Sequence, residues 1–288
     1  MSTIAQVPKG QKVKTVRGFI GKVFAERPGQ DETIFYRGHS SAREYRLLPS
    51  LFRPKENGKP ATFEDDEDRI FREIIVANPQ DFDGDSSTLE RLVRMQHHSL
   101  PTRMLDITSN PLMALYFACS GDKGKPGQVI TFTVKNSDIR FFDSDTVSCI
   151  ANLAQLSKVH KDNLDLSLDE KTFNKSEPAQ RLLHFIKHEK PYFQDVINPT
   201  HLNQVFCVRS KLSNPRIMVQ SGAFFIFGLN ATLGEAGNGQ IKISRTEISS
   251  TAKEPILEEL DRLNINDRTV YPFIENTARY IRSKFAKS

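Results

Sequence analysis

Cysteine is scarce in this chain. Cys119, Cys149 and Cys207 are odd in number and far apart, which argues against a disulfide framework and against a cysteine-based metal site. Such sparse thiols fit a reducing compartment. Long apolar runs are missing as well, and no stretch approaches the ~20 residues needed to span a bilayer. The opening MSTIAQVPKGQK lacks the apolar core of a secretory leader. A cytoplasmic location and no membrane contact are therefore expected. His97 and His98 have no third ligand at a recognisable spacing, so no metal is expected. No internal repeat is visible.

What is present is an ordinary globular composition. With 288 residues, 38% of them hydrophobic, the chain can bury a core without staples. The net charge of +5 is compatible with an anionic partner but does not demand one. The basic residues are uneven. Lys12, Lys14, Arg17, Lys22, Arg37, Arg43, Arg46 and Arg53 crowd the first sixty positions. The acidic run at 64–68 then reverses the sign and reads as the solvated first turn of a helix.

Apolar periodicity predicts helices over 16–24, 66–77, 88–97, 111–119, 181–188, 257–263 and 272–285. Ser87 with Glu90 forms a capping box, and Asn110-Pro111 is a cap followed by proline at the first helical position. Strands are predicted over 33–37, 128–134, 204–209, 223–228 and 240–248. Helices and strands do not alternate strictly. The expected fold class is α+β, a short-stranded mixed or antiparallel sheet with surrounding helices. Residues 1–29 read as a lead-in with a short helix, and 30–288 as one domain. The polar, weakly patterned stretch at about 157–178 reads as an insertion.

Three constellations stand out. Phe35 and Arg37 share one strand face, and an arginine there must reach water or meet an anion. Gly38 beside it lets a backbone or a ligand approach closely. Structural pairing and anion binding are equally open at this point. The second constellation is the polar stretch at 95–111, with His97, Thr102, Arg103, Asp106 and Asn110 between two apolar helices. Arg103 could pair with Asp106, and the helix starting at Pro111 offers free N–H groups to an anion. The third is Gln220 and Gly222 ahead of an apolar strand, where a glutamine can hydrogen-bond but cannot act as a base.

Together these segments resemble the FRG-domain family. The signature reads Phe35-Tyr36-Arg37-Gly38 here, with Tyr36 in the phenylalanine position. Tyr45-Arg46-Leu47-Leu48-Pro49-Ser50-Leu51-Phe52-Arg53 and Gln96-His97-His98-Ser99-Leu100-Pro101-Thr102-Arg103-Met104-Leu105-Asp106 are similar to two further family segments. Ser99 replaces the usual glycine, and Ile107 stands where tryptophan is common. Asn110-Pro111 and a late Arg216, Gln220, Gly222, Phe224 set extend the likeness over about 30–285. Prokaryotic members of the family are discussed with toxin and phage-defence systems.

Tyr36-Arg37-Gly38 also resembles the first-strand motif of ADP-ribosyltransferases, whose arginine grips the phosphates of NAD. That likeness implies an NAD-type nucleotide as ligand. Arg37, Gly38, His97, Thr102, Arg103 and Asn110 would hold it, and Arg37, Arg103, Asp106 and Gln220 would carry the chemistry. The late Glu-x-Glu or Gln-x-Glu of those enzymes is missing; Gln30-Asp31-Glu32 precedes the arginine strand. Asp106, Glu235 and Glu247 are the candidate replacements. Two other functions stay open: a nucleic-acid-binding module using the basic first sixty residues, and a non-catalytic domain that binds a protein partner.

Overall fold

The computed structural model describes residues 12–54, 62–211, 222–272 and 274–286. Among them, seven strands form one mixed sheet. They are β1 (Glu32–His39), β2 (Met104–Thr108), β3 (Gly127–Lys135), β4 (Ile139–Phe141), β5 (Val205–Arg209), β6 (Gly222–Phe227) and β7 (Ile241–Ile248). Their order across the sheet is β4-β5-β6-β2-β1-β3-β7. Only the β4–β5 pair is parallel. The fold is α+β, as the short, irregularly spaced strands predict.

The helices are α1 (Val16–Ala25), α2 (Glu67–Ala77), α3 (Pro79–Phe82), α4 (Thr88–His97), α5 (Pro111–Ser120), α6 (Asp145–Asn152), α7 (Lys158–Asp162), α8 (Glu170–Phe173), α9 (Glu177–Glu189), α10 (Lys253–Arg262), α11 (Asp267–Val270) and α12 (Ile274–Ala286). Local chemistry starts several of them. The Ser87–Glu90 capping box opens α4. The Asn110 side chain accepts from the N–H groups of Leu112 and Met113 at the start of α5. Met113, Ala114, Leu115, Tyr116, Ala118 and Cys119 are all buried, so α5 is apolar around most of its circumference.

Strand alternation sorts the core into two faces. On one face, Phe35, Leu105, Ile107, Ile130, Phe132 and Phe225 form a shared cluster. The sheet is curled around it. The rings of Phe132 on β3 and Phe225 on β6 lie edge-on with centroids 5.0 Å apart. Two strands separate β3 from β6, and a flat sheet would hold them roughly 14 Å apart. The outer face carries two separate helical layers. α1, α5, α10 and α11 pack with Tyr36, Val129 and Ile248 over one half of the sheet. α2, α4, α6 and α9 pack with Met104, Phe206 and Phe224 over the other.

The halves meet at β1 and β2, where the ladder is short. β1 and β3 share eight residue pairs, β2 and β6 share five, and β1 and β2 share one, Tyr36 opposite Thr108. Past that rung the two strands part.

One element runs against the sequence expectation, and α3, α6 and β4 lie where none was stated. Met104–Thr108, expected within a polar connection, is a central strand. The five residues are too few to display alternation, and Pro101 and Asn110 at the flanks read as turns. The stretch at 157–178 contains α7 and α8 and is packed: Leu164 and Phe173 are buried in the α2/α4/α6/α9 core. Its polar residues cover that anchorage in the sequence.

Candidate functional site

A cleft of about 300 Å³ opens where β1 and β2 part, between the two helical layers. Arg37, Gly38 and His39 of β1 line it, with Asp106 and Thr108 of β2, Gln96 and His97 of α4, and Phe117 of α5. Arg53, Tyr45, Phe224 and Tyr271 complete the walls.

Arg37 spans the gap between the strands. Its Nη1 donates to the Asp106 backbone carbonyl at 2.5 Å, and its Nε donates to His39 Nε2 at 3.0 Å. Burial lowers the Arg37 pKa to about 10, Asp106 opposes the shift and Arg53 adds to it. It is therefore a cation at neutral pH. His39 is buried, and that burial, with Arg37, Arg245 and Arg53 nearby, drives its pKa down to about 2. A neutral imidazole can accept the Arg37 Nε–H. Arg53 donates its Nε–H to the Leu48 carbonyl at 2.9 Å, and burial lowers its pKa. Neither arginine makes an ion pair with a carboxylate among the described residues, and Nη2 of Arg37 and both Nη of Arg53 have no hydrogen-bond partner there. Two guanidiniums thus face one cleft with donors to spare.

Gly38 serves packing. A Cβ on it would lie 2.0 Å from the Ala114 carbonyl oxygen and 2.6 Å from the Ala118 nitrogen of α5. The close neighbour is a backbone, one of the two options its sequence left open.

The other expected residues divide. Asp106 is exposed and His97 half-buried, and both line the cleft. Thr102 stands behind the wall and donates its hydroxyl to Gln96 Oε1 at 2.5 Å. Arg103 does not line the cleft and does not pair with Asp106. Its Nε and Nη2 bind the two Glu67 oxygens at 2.8 and 2.5 Å, its Nη1 donates to the Phe227 carbonyl, and it is 0% exposed. Residues three apart on an extended segment point to opposite faces, so Arg103 and Asp106 could not meet. Asn110 caps α5, and its Oδ1 already occupies two of the N–H groups expected to be free for an anion. Gln220, with Arg216, lies outside the described residues. Of the alternative carboxylates, Glu235 pairs with Arg245 and Glu247 with Lys12.

Sequence reasoning did not nominate Arg53 or Gln96 for the site, although both sit in the motifs quoted above. Tyr271 and Phe117 gave no signal, because core aromatics and cleft aromatics look alike in a sequence. The acidic run also divides: Glu67 is buried against Arg103 and Lys161. Burial alone would raise the Glu67 pKa, but the two cations outweigh it and the net shift is downward. No group of three His, Cys, Asp or Glu among the described residues is placed to hold a metal. None of their helices is long and apolar enough to cross a membrane.

Comparison with known proteins gives one family. No curated protein and no solved structure matches the chain. The FRG domain family model matches residues 32–126, a segment that holds β1, the Arg53 loop, α4, β2 and α5. The late segment around 216–224 lies beyond the match. The cleft-bridging Arg37, its neighbour Arg53 and the Gln96–Asp106 stretch all come from the matched residues, so the candidate site lies in the part of the chain, residues 32–126, that carries an FRG domain.

Proposed function

We propose that the cleft binds an NAD-type nucleotide through its diphosphate and handles it as an ADP-ribosyltransferase or NAD glycohydrolase does. The observation that carries this reading is the convergence of Arg37 and Arg53 on one cleft, neither of them in an ion pair with a carboxylate among the described residues. Planar guanidiniums with unused N–H donors match phosphate oxygens in charge and geometry. The half-buried Phe117 and Tyr271, with centroids 6.2 Å apart, offer apolar surface to a base or a nicotinamide ring.

The chemistry follows from what else lines the cleft. As the bond between ribose carbon and nicotinamide nitrogen breaks, its electron pair leaves with the ring, and positive charge develops on the ribose. Asp106 is the carboxylate of the cleft wall and stabilises that charge electrostatically. Water or an acceptor side chain then adds to the ribose carbon and loses a proton. A role in toxin or phage-defence systems is part of the same reading and rests on the family likeness alone.

Titration calorimetry with NAD and ADP-ribose tests it. Arg37→Ala and Arg53→Ala should each weaken both ligands about ten- to a hundredfold, the worth of one charge-assisted hydrogen bond. Asp106→Asn should retain binding and lose turnover of labelled NAD. If the wild-type protein binds neither ligand, the reading falls.

A further inference from the structure

Gln96 lies at the end of α4 and faces the cleft, and Thr102 decides which way its amide points. Thr102 is buried, and its Oγ1 already accepts from the Met104 backbone N–H at 3.4 Å. Its hydroxyl proton needs an acceptor, which Gln96 Oε1 supplies at 2.5 Å. The reversed amide would set an N–H2 against that hydroxyl and strand a buried donor, at a cost in free energy. The Gln96 N–H2 therefore turns away from Thr102. Among the described residues nothing accepts its protons. It is a fixed donor on the cleft wall, in the same cavity as Phe117 and Tyr271.

We propose that Gln96 is a ligand-binding residue that donates to the carbonyl oxygen of a carboxamide-bearing ring, with Thr102 as its positioning residue. The inference rests on the nucleotide reading. It adds recognition of the ring end to recognition of the diphosphate. A donor held in one orientation selects a ring bearing a carbonyl at that place over one bearing an amine. It also gives a physical purpose to the Gln96 to Thr102 spacing: the turn at Ser99, with φ of 64°, brings the chain back so that Thr102 meets Gln96.

The test is calorimetry on the full chain with NAD and with ADP-ribose, which lacks the carboxamide. Gln96→Met, neutral and of similar length, should weaken NAD about tenfold and ADP-ribose by less than about twofold, as loss of one neutral hydrogen bond requires. Thr102→Val should shift NAD in the same direction by a smaller factor, and Thr102→Ser should restore it. Undiminished NAD affinity in Gln96→Met overturns the inference. So does an equal loss for both ligands, which would make Gln96 a wall of the cleft only. Wild-type protein that binds neither ligand overturns the nucleotide reading and this inference together, whereas binding of both with Gln96 indifferent overturns this inference alone.

Discussion

Arg37 shows how much a single side chain depends on its immediate neighbour. The guanidinium is aimed by His39, which accepts from its Nε and is held neutral. That neutrality has a consequence for stability. The unfolded chain protonates this histidine near its ordinary 6.5, while the folded chain keeps it unprotonated down to about 2. The unfolded state thus binds the extra proton, and stability falls as pH drops below 6.5; above that value the histidine makes no difference. Chemical denaturation between pH 6.5 and 5 should show a loss approaching about 1.4 kcal/mol per pH unit from this group. His39→Gln, which keeps an acceptor but cannot titrate, should flatten that part of the curve. Parallel slopes in the two proteins would show that His39 is not the group held neutral. At this scale the sequence was informative about Arg37 and Asp106, because an arginine on an apolar strand face and an acid in a family motif are both conspicuous. It was silent about which of Arg37, Arg53 and Arg103 keep free donors, since that depends on Glu67, far from Arg103 along the chain.

At the scale of elements, the packing of α5 on the sheet determines where the cleft can open. Gly38 and Gly127 let the helix backbone approach β1 and β3: a Cβ on Gly127 would stand 2.2 Å from the Ala118 carbonyl oxygen. Gly38→Ala forces α5 outward. It should cost at least the ~1–3 kcal/mol of an overpacked core and lower the melting temperature accordingly. A melting curve unchanged by Gly38→Ala would mean that α5 is not seated as described. Most helices and strands were readable because their apolar periods run long enough to count. β2 was not, at five residues bounded by turn formers. Its identity comes from pairing with β6, in which Asp106 lies opposite Phe224. The 157–178 stretch showed little pattern, with Leu164, Leu166 and Leu168 alternating with polar residues and Phe173 standing alone, yet Leu164 and Phe173 are buried.

Across the whole molecule, one buried ionic cluster joins three distant parts of the chain. Glu67 of α2 receives Arg103, just before β2, and Lys161 of α7, both 2.5 Å from Oε2. Glu67→Gln leaves two buried cations without their counter-charge and should destabilise the protein by about 3–5 kcal/mol, measured by urea unfolding. Because the Glu67 pKa is lowered in the folded chain, its contribution is complete above the ordinary 4.5 and is lost as pH falls below it. A Glu67→Gln protein as stable as wild type at pH 7 would refute that account. The sheet itself behaves as two leaves bound along a greasy spine on the concave side and fastened on the other by one backbone rung, Tyr36 to Thr108. Arg37 is the second fastener, since its Nη1 holds the Asp106 carbonyl across the seam. If the proposed anion docks on its remaining nitrogen, it loads a rivet between the leaves, and occupancy of the cleft would then be tied to the spacing of the two halves.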